Sequence, residues 1–114
     1  MNVTTTLGDE DQKLVVLARG ALARAETTEG AAVRDTEGRT YAGATVSATT
    51  LSMSALQVAL ATALSSGARG FEAAVLVNGR PDDPGLVTLR ELSADAYAVI
   101  TDLRGSQSHR LDSF

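Results

Sequence analysis

The chain has 114 residues, 44% of them hydrophobic, with 10 basic and 14 acidic side chains and a formal charge of −4. That length supports one domain, and its modest core must hold without disulfides because there is no cysteine. The missing thiols also exclude thiolate zinc sites, redox pairs and cysteine nucleophiles, and the acidic balance argues against a phosphate-backbone partner such as DNA or RNA.

The start, Met1 to Thr6, carries neither a basic segment nor a greasy core, so no secretory signal is expected. The longest apolar run, Ala73 to Val77, is too short to cross a bilayer, which points to a cytoplasmic protein with no membrane partner. Residues 1–8 are expected as a flexible terminus, 9–105 as the single domain and 106–114 as a loose polar tail. Acidic residues open a helix over 9–25, whose apolar stripe is Leu14, Leu17, Ala18, Ala21, Leu22 and Ala25. A hairpin follows, with strands over 31–34 and 39–46 around a turn ending at Gly38. The Ser/Thr cluster over 47–54 then precedes a helix from about Met53 to Ser65 that is apolar nearly all round. Such a helix is buried on several sides, within the core or against another subunit.

Residues 71–77 read as an interior strand, apolar on both faces in its second half. Asp83 and Pro84 are an N-cap and a first helical residue, opening a short helix with Leu86, Leu89 and Leu92 on one face. A last strand spans 97–101. The order α-β-β-α-β-α-β gives a mixed sheet with helices on its faces. The lone histidine, His109, falls in the expected tail and reads as a solvated residue, not a catalytic base.

Three strings in register resemble the small cytidine deaminase family. Gly30-Ala31-Ala32-Val33-Arg34 with Asp35 to Gly43 is similar to that family's G-A-A-V-R…D-G-R-x-Y-x-G. Ser54 to Leu60 stands against C-A-E-R-x-A-I, and Ala63 to Val75 against A-V-S-x-G-x-R-x-F-x-A-I-A-V. The resemblance implies a three-layer α/β/α fold and the chemistry of a zinc-bound water, with a glutamate two residues after the first ligand moving protons. On that alignment Ser54 holds the first ligand position and Leu56 the glutamate's, while Gly85 and Thr88 take the two positions of P-C-x-x-C. Glycine supplies no ligand, serine and threonine hydroxyls are weak partners for zinc, and leucine moves no proton. No metal and no cofactor are therefore expected.

The family's ribose-binding N-V-E-N becomes Thr45-Val46-Ser47-Ala48, so a remnant pocket at Thr45, Ser47 and Ala48 offers fewer hydrogen bonds. Three functions stay open. The first is a non-catalytic relative acting by association, with the resemblance implying a homodimer or homotetramer through the helix near Met53–Ser65. The second is a module that binds a nucleoside or another small ligand among the hydroxyls of Thr45, Ser47, Thr49, Thr50, Ser52 and Ser54. The third is an active deaminase or hydrolase recruiting Asp82, Asp83, Glu91 or Asp95, residues that read more simply as surface and helix-end charges.

Overall fold

The structure is a computed structural model and describes residues 7–114. Most of the flexible terminus expected over 1–8 lies outside the described residues. Leu7 packs on the core, and Gly8 precedes the first turn of helix α1, Asp9–Ala25. Asp9, Glu10 and Asp11 sit in that first turn, and Glu26 ends the helix in the left-handed region at φ 57°. The buried face is Leu14, Val15, Ala18 and Ala21. It is rotated from the expected stripe: Val15 points inward, and Leu17 is 38% exposed.

Strands β1, Gly30–Asp35, and β2, Thr40–Ala44, form the expected hairpin with Ala32 opposite Ala42. The Ser/Thr cluster is not plain loop. It folds into a two-stranded ribbon of β3, Val46–Ser47, and β4, Ser52–Met53, before helix α2, Ala55–Ser65. β5, Phe71–Val77, is followed by α3, Pro84–Leu92, and β6, Tyr97–Thr101. The segment expected as a loose tail instead pairs with β6 as β7, Ser108–Leu111, which places His109, still exposed, opposite Ile100. Ser-His-Arg-Leu has little strand propensity of its own. Its partner strand, the packing of Leu111 and Phe114 on the core, and Arg110 lying 3.8 Å from the centre of the Tyr97 ring hold it there.

The main sheet runs β2-β1-β5-β6-β7, parallel only between β5 and β6, which α3 connects. α1 covers one face through Leu14, Val15 and Ala18 on Ala32, Val75, Val77 and Val99. α2 and α3 cover the other through Leu56, Leu60 and Leu89 on Val33, Leu76 and Ile100. The result is a three-layer α/β/α fold. α1 lies so close to the hairpin that a Cβ on Gly30 would stand 2.1 Å from the Ala18 carbonyl oxygen. Among the described residues no helix is long and apolar enough to cross a membrane.

Two charged clusters fix the end of the sheet near β1's last residues. Arg34, 6% exposed, donates to Glu72 at 2.7 Å, Asp11 at 3.1 Å and the Tyr97 hydroxyl at 3.1 Å. Burial opposes its charge, but these hydrogen bonds outweigh burial and keep the guanidinium protonated. Burial, and then its bond to Asp11, push the Tyr97 hydroxyl up.

Asp35, 1% exposed, organises the hairpin turn by accepting from the N–H groups of Glu37 and Arg39 and from the Arg39 side chain, each at 2.9 Å. Burial works to raise its pKa, yet the Arg39 and Glu37 donors win and hold it below the ordinary 3.8. Its contribution to stability is therefore complete above the ordinary carboxylate range and is lost as pH falls through the lowered value. Asp35→Asn should cost about 1–3 kcal/mol near neutrality and flatten the acid limb of stability against pH, as read by urea unfolding. An unchanged acid limb would show that Asp35 does not govern it.

Candidate functional site

The N-termini of α2 and α3 meet near the start of β1 and the end of β5. Ser54 caps α2: its Oγ accepts the Gln57 N–H at 3.1 Å, while Gln57 Oε1 accepts the Ser54 N–H at 2.9 Å. Asp83 caps α3, accepting the Gly85 N–H at 2.7 Å, with Pro84 as the first helical residue. The two caps touch. The Ser54 hydroxyl donates to Asp83 Oδ1 at 2.7 Å.

Leu56, with no exposed surface, lies directly under this junction. A Cβ on Gly85 would come within 2.7 Å of Leu56 Cγ, so the leucine fills the space that a side chain at 85 would take. Of the four positions singled out by the sequence, Ser54, Leu56 and Gly85 gather at this junction. Thr88, one turn further along α3, lines a neighbouring groove with Gln57 and Leu60. The bond from Ser54 to Asp83 was not legible in the sequence. Its signal, Asp83 before Pro84, announced a cap and not the cap's second partner.

A cleft of about 200 Å³ opens beside the junction, lined by Glu29, Ser54, Arg80, Asp82, Asp83 and Pro84. Arg80 spends its charge on Asp82, with bonds of 3.0 and 2.8 Å, and holds that carboxyl below its usual range. Thr45, Ser47 and Ala48 are not part of this lining. Ser47 and Ala48 are exposed on the β3–β4 ribbon with Thr49 and Thr50. Thr45 lies just before the ribbon, its Oγ1 buried and without a partner.

The donor set does not fit a zinc ion. It holds one neutral hydroxyl and one carboxylate already bonded to both helices, with neither imidazole nor thiolate. Among the described residues no three His, Asp or Glu side chains gather closely enough to hold a metal. Glu91 and Asp95 are exposed and take no part in the junction.

Beside the junction α2 presents an apolar groove of about 260 Å³, lined by Ser52, Met53, Gln57, Leu60, Ala61, Leu64 and Thr88. Leu51, Leu64 and Val87 are 54%, 40% and 72% exposed. No charged residue occurs anywhere between Arg39 and Arg69, so the ribbon and α2 form an uncharged face on an acidic protein.

Solved structures share this architecture. The cytidine deaminase from Burkholderia pseudomallei superposes with a TM-score of 0.78 at 21% identity, covering 93% of each chain. A Glu-to-Gln mutant of the Mycobacterium tuberculosis cytidine deaminase gives 0.67 at 20% identity, covering 87% of this chain and 88% of that one. The Mycobacterium leprae cytidine deaminase gives 0.61 at 17%, covering 84% and 91%. The fold is that of the cytidine deaminases. A sequence model described as "Cytidine deaminase-like" matches residues 7–105, and the chain belongs to that family. No curated protein sequence matches it.

Proposed function

We propose that this chain is a non-catalytic cytidine-deaminase-like protein of the cytosol that acts by self-association through α2. The observation that carries the reading is Leu56. It stands where the resemblance puts the proton-carrying glutamate, and it is fully buried against Gly85, where the resemblance puts a thiolate. An aliphatic side chain moves no proton, and Leu56 already occupies the space that a side chain at position 85 would need. Self-association is supported by the uncharged face. Two copies of a chain carrying −4 can meet there without opposing like charges across a two-fold axis.

With equimolar zinc and millimolar cytidine, the purified chain should release ammonia no faster than the uncatalysed background. Zinc-dependent release would overturn the non-catalytic reading. Light scattering should give the mass of a dimer or tetramer of the 11.8 kDa chain. Ala61→Glu, which sets like charges against each other in the groove, should weaken the assembly by about tenfold or more. A wild-type monomer at micromolar concentration would remove self-association.

A second reading, a nucleoside or small-ligand module, is favoured by the unpartnered Thr45 Oγ1. It predicts a rise in Tm with millimolar cytidine, uridine or their nucleotides, and an unchanged Tm would reject it.

A further inference from the structure

An ordinary N-cap satisfies the first turn of its own helix and nothing else. Here the two caps form one hydrogen-bonded run. The Gln57 N–H donates to Ser54 Oγ, the Ser54 hydroxyl donates to Asp83 Oδ1, and the Gly85 N–H donates to that same oxygen. Asp83 is 7% exposed, so its carboxylate sits largely out of water between the positive ends of two helix dipoles. Glycine at 85 lets the carboxylate approach, since a Cβ there would lie 3.0 Å from Asp83 Oδ1.

We infer that the Ser54–Asp83 pair is an interhelical tie that locks the start of α2 to the start of α3, and that the fold owes nothing to a metal ion at this point. The tie itself rests on the hydrogen-bond geometry. Only its comparison with a metal rests on the proposed non-catalytic reading. A bound cation joins two helix ends by attracting ligands from both. Here an internal anion does so by accepting donors from both, and the sign of the joining charge is reversed.

A double-mutant cycle tests the tie. Ser54→Ala and Asp83→Ala should each lower Tm by about 5–10 °C, because each strands a buried partner as well as an N-terminal N–H. The double variant should lose less than the sum of the two singles, because the two cap losses add while the shared Ser54–Asp83 bond is lost only once, and Ser54→Thr, which keeps the hydroxyl, should recover most of the loss. Additive single losses would overturn the tie. Should Asp83→Ala fail to fold, Asp83→Gly, which N-caps a helix well but has no side-chain acceptor, supplies the same cycle. In parallel, excess EDTA or a tenfold excess of zinc should leave the wild-type Tm unchanged. A fall with the chelator, or a rise with zinc, would overturn metal independence. Ammonia release from cytidine would overturn only the non-catalytic reading, and additivity in the cycle only the tie.

Discussion

Replacing Arg34 by methionine should destabilise the protein by about 3–5 kcal/mol, the expected cost of stranding one partner of a buried ion pair. Methionine keeps the apolar stem but removes all three side-chain bonds, to Glu72, Asp11 and the Tyr97 hydroxyl. The partners are not equivalent. The Glu72 side chain is 55% exposed and returns to water, whereas that of Asp11, at 14%, stays enclosed with only Tyr97 to serve it. Glu72→Gln should therefore cost less than about 1 kcal/mol. Asp11→Asn introduced into the Arg34→Met variant should restore part of the loss by neutralising the stranded charge. Urea unfolding of the four proteins reads this directly, and an Arg34→Met variant within about 1 kcal/mol of wild type would refute the assignment.

Leu56→Ala should cost about 2–5 kcal/mol, since it removes a fully buried leucine from between α2, α3 and the sheet. Gly85→Ala should cost about 1–3 kcal/mol for the opposite reason, because its Cβ lands 2.7 Å from Leu56 Cγ and 2.9 Å from Leu56 Cβ. Together they should cost less than the sum by about 1–2 kcal/mol, the new methyl entering the hole the leucine leaves. Strict additivity would mean that the two side chains do not share one space. The same geometry sets an order on any attempt to rebuild ligands here. Position 56 has to shrink or turn polar before position 85 can carry a side chain.

The fold was legible where local chemistry and tertiary packing agree. The acidic start of α1, the Gly38 turn, the apolar run of β5 and the Asp83-Pro84 cap each announce their element. It was illegible where pairing decides. β7 has one inward apolar residue and takes its shape from β6, and the β3–β4 ribbon hides among serines and threonines that fit loop or strand equally well. The rotated face of α1 follows from adjacent Val15 and Val16, either of which completes an apolar stripe until the sheet selects one. At the site, sequence located Ser54, Leu56 and Gly85 through a resemblance. The bond from Ser54 to Asp83 joins residues 29 apart in sequence, and no periodicity can report it.

β7 also has a protective consequence. β6 is almost wholly enclosed, and its residues Ala98 to Thr101 would present an apolar, uncharged ladder of free amide groups if nothing lay beside them. Such a rim templates the stacking of foreign strands into insoluble fibres. With β7 in place the outermost rim presents His109 and Arg110, and the cation of Arg110 discourages an incoming chain from docking there. These few polar residues act as a gatekeeper for the sheet.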